Sequence, residues 1–207
     1  MIRILRLVGF VVALTIVGSS CGADQASMIG LVRDQPLDVS SIALPDETPG
    51  ATEPMFIMKA QPNELLMVYF GYTMCPDLCP TTLADFRSAL SRIDGAADRI
   101  DLAFITVDPE RDTADRLAPY LASFVDQYHV LRTTDFSQLQ KAQDAFLAAS
   151  SITTNDSGVI EVSHTATAYF VDENGLVVDE IPFGLGADGF ENDLKILINQ
   201  LDKGQKQ

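Results

Sequence analysis

The fold is decided by residues 65–80, which read Leu65-Leu66-Met67-Val68-Tyr69-Phe70-Gly71-Tyr72-Thr73-Met74-Cys75-Pro76-Asp77-Leu78-Cys79-Pro80. The first six are a continuous apolar run, which predicts a strand buried on both faces of a sheet. Two cysteines four residues apart follow, at the point where this strand gives way to a helix. Thiols at that spacing can bind a soft metal, form a disulfide, or do both in turn. The stretch therefore predicts a sheet with a thiol site at its edge.

Apolar periodicity predicts that helices and strands alternate along the rest of the chain. Predicted helices cover residues 81–93, 113–124, 136–149 and 190–201. Further predicted strands cover residues 102–107, 130–131, 165–171 and 176–181, the last two joined by a turn at residues 172–175. This order is typical of an α/β thioredoxin-like fold, a central mixed β-sheet flanked by helices. Short pieces at residues 37–42 and 54–58 predict an N-terminal β-hairpin extension.

The N-terminus predicts export and membrane attachment. Residues 1–20 resemble a lipoprotein-type signal peptide, in which two arginines precede an apolar segment too short to span a membrane. Lipidation of Cys21 would anchor the exported protein to the outer (periplasmic or extracellular) face of the bacterial cytoplasmic membrane, and an uncleaved N-terminal segment is the alternative anchor. We expect residues 21–50 to form an acidic tether and hairpin entry, and residues 51–207 to form the thioredoxin-like domain.

The charge of the chain bears on its partners. There are 14 Lys and Arg residues against 29 Asp and Glu residues, which gives a net charge of −15 at pH 7. Nucleic-acid binding needs a basic face, so this composition argues against it. An acidic surface is compatible with solubility and with cationic partners or metal ions.

Export also bears on the cysteine pair. Outside the cytosol an unprotected thiol pair becomes oxidised unless a metal or a reductant intervenes. A structural Cys75–Cys79 disulfide is one interpretation, but closing so short a loop removes little entropy from the unfolded chain. We expect both cysteines at the N-terminus of the first core helix, where the helix dipole favours thiolate. A redox-active or metal-exchanging pair is therefore the better interpretation.

Histidine supplies a third candidate ligand. His164 lies just before the predicted strand 165–171, at the place where thioredoxin-like folds usually carry a cis-proline beside the cysteines. Two thiolates and one imidazole suit copper in both oxidation states, whereas structural zinc would need a fourth ligand. The only other histidine, His129, is predicted to lie on the opposite flank of the sheet with a structural role.

Three sequence elements resemble those of the SCO/SenC family of copper-binding assembly proteins. They are residues 71–80, the motif Val107-Asp108-Pro109-Glu110-Arg111-Asp112-Thr113, and His164 upstream of the turn at residues 172–175. The resemblance covers roughly residues 50–203. It implies a thioredoxin-like fold, Cu(I)/Cu(II) bound by Cys75, Cys79 and His164 in the 51–207 domain, and a role in building the binuclear copper centre of cytochrome c oxidase.

Four charged residues near these motifs have two interpretations. Asp108, Arg111 and Asp112 follow a predicted buried strand, at the carboxyl edge where open α/β sheets place their sites. They could support the copper ligands or dock a partner, but we favour an Asp–Arg network that caps the helix beginning near Thr113. Asp77 lies between the cysteines, and we expect it to accept hydrogen bonds from the free N–H groups at the helix start.

The sequence predicts a copper metallochaperone whose partner is the apo copper-binding subunit of cytochrome c oxidase. No catalytic residue is assigned. The alternative is a membrane-tethered thiol–disulfide oxidoreductase that uses Cys75 and Cys79 to reduce the cysteine pair of the acceptor. The two roles use the same thiols. They can be distinguished by His164, because copper binding needs this residue and disulfide exchange does not. A copper or redox sensor is a further, less favoured hypothesis.

Overall fold

The computed structural model describes residues 27–204 of the chain. Its helices are α1 (Leu78–Ser91), α2 (Ala114–Ala122), α3 (Phe136–Ala145) and α4 (Gly186–Gly204), with a 3-10 turn at Ala96–Asp98. Its strands are β1 (Ala43–Pro45), β2 (Met55–Ile57), β3 (Leu65–Gly71), β4 (Ile100–Thr106), β5 (Tyr128–Leu131), β6 (Ser150–Thr154), β7 (Ile160–His164), β8 (Thr167–Val171) and β9 (Val177–Pro182). Among residues 27–204, no helix is long and apolar enough to cross a membrane.

A five-stranded mixed sheet forms the centre of the fold, in the order β5-β4-β3-β8-β9. Strands β3, β4 and β5 are parallel, whereas β8 and β9 run antiparallel to their neighbours. Strand β3 is buried along its whole length, because it is central in the sheet and helices cover both faces. The predicted thioredoxin-like arrangement with a mixed sheet is confirmed. The parallel pairing brings the ends of β3 and β4 to one edge, where Gly71 lies opposite Thr106.

Aromatic side chains pack the helices onto the sheet. On one face, Phe86 of α1 and Phe190 of α4 contact Phe170 of β8, with ring centroids about 6 Å apart. On the other face, Phe70 of β3 contacts Phe146, which follows α3. Burying an aromatic side chain of this size contributes about 2 kcal/mol. These contacts hold α1, and therefore the cysteines at its start, against the end of β3.

The segment before the domain is packed rather than extended. The predicted acidic tether and hairpin entry covers residues 21–50, but in its described part Val39, Ile42 and Leu44 are buried in the core. Leu31 also pairs with Glu180 along the outer edge of β9. Burial of these three side chains on the domain outweighs the turn-forming composition of the segment, whereas Ile29, Leu31 and Val32 stay exposed. The N-terminal hairpin is confirmed as β1 paired with β2, and its first strand begins at Ala43, after the predicted 37–42 piece.

Strands β6 and β7 form a second hairpin that the sequence did not predict. Its sequence signal is weak because both strands are short and mostly exposed: Ile160 and Val162 alternate with polar residues in β7, but Ile152 is the one large apolar residue of β6. Its turn is built by Asn155, whose side chain accepts hydrogen bonds from the backbone N–H groups of Ser157 and Val159. The helix predicted over residues 136–149 ends earlier, at Ala145, because Leu147 adopts a left-handed backbone conformation with φ 52° that a helix cannot accommodate.

Candidate metal centre

The two cysteines lie where β3 passes into α1. A tight turn follows β3, in which the N–H of Cys75 donates to the carbonyl of Tyr72 at 3.2 Å. Cys79 is the second residue of α1, and its backbone N–H donates to the Cys75 sulfur at 3.3 Å. Pro80 fits the first turn of the helix, where the missing N–H removes no helical hydrogen bond. The predicted position at the helix N-terminus is confirmed for Cys79, whereas Cys75 lies in the turn three residues before the helix.

His164, the last residue of β7, brings its ring to the cysteines. Its Nε2 atom lies 3.4 Å from the Cys79 sulfur, while Nδ1 lies 3.0 Å from the carbonyl of Thr165. A carbonyl can only accept, so Nδ1 carries the proton and Nε2 presents a lone pair toward the sulfur. Burial lowers the pKa of His164, which keeps the imidazole neutral at pH 7. A neutral imidazole with a free Nε2 is the form that binds metals.

The two sulfurs and one histidine nitrogen lie within 4.8 Å of one another. In the described part of the chain, this is the one group of three or more His, Cys, Asp or Glu side chains placed closely enough to hold a metal ion. Both cysteines are free thiols. A set of two soft sulfurs and one imidazole, with no carboxylate among the ligands, fits a soft or borderline metal and does not fit magnesium or calcium.

Burial controls the protonation of Cys79. Its side chain is fully buried, and burial, together with the nearby Cys75 sulfur, raises the pKa of the Cys79 thiol. The expectation that the helix dipole makes this residue a thiolate was wrong, because desolvation outweighs the dipole at a fully buried position. Cys79 is therefore a neutral thiol at pH 7 in the metal-free protein. A metal that binds here must displace its proton.

Gly71 allows the sulfur of Cys79 to reach this position. A Cβ atom added at Gly71 would lie 2.9 Å from the Cys79 sulfur and 2.8 Å from the ring of Phe104. Either distance is too short for a side chain, so the last residue of β3 has to be glycine for α1 to pack this closely. Gly71 was not predicted to have a role in the site. Its place at the end of a buried strand, just before the cysteines, was the available signal.

The SCO1/SenC family profile matches residues 58–199, which include all three candidate ligands. The chain belongs to the SCO1/SenC family. An SCO2-like protein of Rickettsia prowazekii is 34% identical over 117 residues, which are 55% of this chain and 56% of that protein. The chain thus spans about half the length of this curated relative.

Two solved structures of SCO proteins resemble this fold. The solution structure of apo Sco1 from Thermus thermophilus has a TM-score of 0.69 and 25% identity, and the match covers 84% of this chain and 99% of that one. The structure of Bradyrhizobium japonicum ScoI with copper bound has a TM-score of 0.62 and 28% identity, and the match covers 75% and 96% of the two chains. The family assignment thus rests on both sequence and fold.

In this SCO1/SenC chain, Asp112 links the cysteine turn to the end of β4. Its fully buried carboxylate accepts hydrogen bonds from the Thr73 N–H at 3.0 Å, from the Thr73 hydroxyl, and from the Thr106 hydroxyl at 2.8 Å. Helix α2 begins after Thr113 without a side-chain cap, so the favoured capping role of the Asp–Arg network was wrong. Asp108 instead forms an ion pair with Arg111 beside the turn.

Asp77 and Met74 lie on the outer side of the same turn. Asp77 is the N-cap residue of α1, but its carboxylate accepts from the Thr81 hydroxyl at 3.2 Å and from no backbone N–H group. The expected capping role of its side chain was therefore wrong. Met74, immediately before Cys75, is 55% exposed. Cys21, the predicted lipidation site, lies outside the described residues.

His129 lies on β5, at the edge of the sheet away from β7, and takes no part in the cluster. Its Nδ1 atom lies 2.9 Å from a carboxylate oxygen of Asp46, and its Nε2 atom lies 3.9 Å from Asp101. Its ring also packs against Phe56 of β2. Burial alone lowers the pKa of His129, but the two carboxylates outweigh this and raise it. The predicted structural role of His129 is confirmed, since it ties the N-terminal hairpin to the sheet.

Proposed function

We propose that this SCO1/SenC protein is a copper chaperone that binds Cu(I) and Cu(II) through Cys75, Cys79 and His164. The observation that carries the proposal is the convergence of two sulfurs and one Nε2 atom within 4.8 Å. Soft sulfurs hold Cu(I), and the imidazole helps to hold Cu(II). The Bradyrhizobium japonicum relative, solved with copper bound, supports the same metal for this chain.

Copper is the cargo in this proposal, and the residues around it control entry and release. The Cys79 thiol gives up its proton when copper binds, and neutral His164 needs no deprotonation. Cys75 is 8% exposed and Cys79 is fully buried, so an acceptor reaches the metal from the Cys75 side, where Met74 is exposed. Transfer then proceeds by exchange of these ligands for the thiolates of the apo copper-binding subunit of cytochrome c oxidase, whose binuclear copper centre is the proposed destination.

The first experiment is an anaerobic copper titration of the full chain in detergent, with His164→Ala and His129→Ala as a matched pair. We expect one copper per wild-type chain and a thiolate-to-Cu(II) charge-transfer band. His164→Ala should weaken Cu(II) binding at least about tenfold, since it removes one of three ligands. His129→Ala should bind copper as the wild type does. If both histidine variants bind normally, or the reduced wild type binds no copper, the proposal is wrong.

The arrangement of the thiols favours a second candidate function, thiol–disulfide exchange with the acceptor. The N–H of Cys79 donates to the Cys75 sulfur at 3.3 Å, so the two free thiols are already adjacent. In this reaction one thiolate of the pair attacks the acceptor disulfide and forms a mixed disulfide with it. The second thiolate then attacks that mixed disulfide, so the acceptor leaves as a dithiol and Cys75–Cys79 becomes the disulfide. His164→Ala should leave this exchange largely intact, which separates it from copper binding.

We also propose that residues 1–20 are a signal peptide, that Cys21 is lipidated, and that residues 51–207 form the copper-binding domain. Because the segment from residue 27 onward packs on the domain, the domain would then lie directly at the outer face of the cytoplasmic membrane instead of on a long tether. Mass spectrometry of the membrane fraction should find a lipid on Cys21. Cys21→Ser should release the protein from membranes, unless an uncleaved N-terminal segment is the anchor.

A further inference from the structure

Strand β7 carries His164 but lies outside the central sheet. In the described part of the chain it pairs with β6 alone, and the two strands form a separate two-stranded sheet. A hairpin of this kind is only marginally stable unless it packs against the rest of a domain. Cys79, in contrast, is held at the centre of the fold by α1. The position of His164 relative to the two sulfurs therefore depends on contacts between β7 and the cysteine turn, residues 72–77.

Tyr72, the first residue of the cysteine turn, makes such contacts. It directly follows Gly71, the last residue of β3, and its side chain is buried. Its carbonyl accepts the hydrogen bond from the Cys75 N–H at 3.2 Å. Its hydroxyl donates to the carbonyl of Val162 on β7 at 3.4 Å. Among residues 27–204, no other hydrogen bond joins the cysteine turn to β7. Tyr72 thus connects the turn that presents one candidate ligand to the strand that carries another.

The ring of Tyr72 also contacts the imidazole of His164. The two rings meet edge to face, with centroids 5.8 Å apart and an interplanar angle of 86°. Tyr69 of β3 contacts the same imidazole at 6.1 Å and 83°. The hydrogen bond from Nδ1 to the Thr165 carbonyl fixes one atom of the imidazole but leaves its tilt free. The two tyrosine rings limit that tilt, and with it the direction in which Nε2 points.

We propose that Tyr72 is a positioning residue of the candidate metal centre, which ties β7 to the cysteine turn and holds the Nε2 atom of His164 toward the two sulfurs. This rests on the proposed function, because Tyr72 is given a part in copper binding. Replacing a residue that orients metal ligands changes metal affinity about 10- to 100-fold. The hydrogen bond from the Tyr72 hydroxyl is long and therefore weak, so the ring should account for most of the effect.

A double-mutant cycle with His164 tests the positioning role in the full chain in detergent. The imidazole helps to hold Cu(II), whereas the sulfurs hold Cu(I). Tyr72→Leu should therefore lower the affinity for Cu(II) about tenfold and leave the affinity for Cu(I) nearly unchanged. In the His164→Ala background the same substitution should cause no further loss of Cu(II) affinity, because the ligand that Tyr72 positions is gone. Tyr72→Phe keeps the ring and should show a smaller loss, also absent in that background, so the cycle is run with Tyr72→Phe if Tyr72→Leu does not fold.

Tyr169→Leu is the matched control for the loss of a buried tyrosine ring. Tyr169 lies on β8 and packs against Phe70 and Phe146. Neighbouring residues of a strand point to opposite faces, so the face that carries Phe70 is the one opposite to Tyr69 and the candidate metal centre. Tyr169→Leu should therefore lower the free energy of unfolding but bind Cu(II) as the wild type does.

Three results would overturn the inference. The first is a wild-type Cu(II) affinity in both Tyr72 variants, the second is an equally large loss in the His164→Ala background, and the third is the same loss in Tyr169→Leu. If the wild type binds no copper, the proposed function fails separately, and NMR of the His164 imidazole in the metal-free protein then tests the contact. We expect narrow ring signals in the wild type and Tyr169→Leu, and signals broadened by exchange in Tyr72→Leu. Narrow signals in all three proteins would reject the positioning role.

Discussion

The carboxylate of Asp112 accepts a hydrogen bond from the backbone N–H of Thr73 at 3.0 Å, although the two residues are 39 positions apart in the chain. Thr73 lies two residues before Cys75, so this bond fixes the turn that presents the first candidate ligand. The same carboxylate binds the Thr106 hydroxyl at the end of β4. The position of Cys75 therefore depends on the loop after β4 as well as on its own strand.

We expect Asp112→Asn to weaken copper binding about 10- to 100-fold, as is usual when a residue that orients metal ligands is replaced. The amide has one acceptor oxygen where the carboxylate has two, so the three donors from Thr73 and Thr106 cannot all be satisfied. The control is Asp108→Asn, which breaks the ion pair with Arg111 without touching Thr73. Copper affinity measured by competition with a chelator should fall less in the control. Equal losses would show that Asp112 has no particular role.

Replacing Gly71 should damage both the fold and the site. The added Cβ of Gly71→Ala collides with the Cys79 sulfur and the Phe104 ring, so α1 has to move away from β3. Overpacking of this kind costs about 1–3 kcal/mol of the free energy of unfolding. Gly204→Ala meets no atom within 4 Å and should change that free energy by less than about 0.5 kcal/mol. Urea denaturation checks both values, and a neutral Gly71→Ala would show that the helix packs more loosely than described.

Copper uptake should release protons. Because burial raises the pKa of Cys79, this thiol is protonated at pH 7 and loses its proton on binding, while His164 is already neutral. For each proton displaced, the apparent affinity should rise about tenfold per pH unit. Calorimetric titrations in two buffers of different ionisation enthalpy measure the protons released. Binding that is independent of pH between about pH 6 and pH 8 would contradict this protonation state.

The buried carboxyl group of Asp179 should make the stability of the protein depend on pH. Burial, and then the charge of Asp193, raises the pKa of Asp179 to about 8, whereas an aspartate in an unfolded chain has a pKa of about 3.9. The folded protein keeps a proton that the unfolded chain loses. Its contribution to the free energy of unfolding is therefore complete below about pH 4 and is lost as the pH rises toward 8.

Asp179→Asn tests this directly, since the amide has nearly the same shape as the carboxyl group but does not titrate. We expect the free energy of unfolding at pH 7 to increase by at least about 1 kcal/mol, and its slope between about pH 5 and pH 8 to flatten. Asp193→Asn should instead destabilise the fold, because the Asp193 carboxylate accepts from the N–H groups of Ile29 and Gly30. An unchanged slope in Asp179→Asn would assign the pH dependence to other groups.

Local sequence patterns were enough to predict the sheet, the helix order and the chemistry of the site. A six-residue apolar run, helical periodicity and a paired-cysteine turn are local signals, because burial on a strand or helix face imposes a spacing on neighbouring residues. The three candidate ligands were also predicted, since soft sulfur and imidazole donors are rare in this chain. The β6–β7 hairpin left a weaker signal, because its strands are short and mostly exposed and Val162 packs only partly against the core.

The support and the protonation of the ligands depend on contacts that form in the folded protein. Asp112 reaches Thr73, Gly71 admits the Cys79 sulfur, and the ring of Tyr69 meets that of His164, yet these partners are separated in sequence by up to 95 positions. The thiol of Cys79 is neutral because its final burial outweighs the local helix dipole. Contacts and desolvation of this kind exist once the sheet and helices have packed, so no local pattern encodes them.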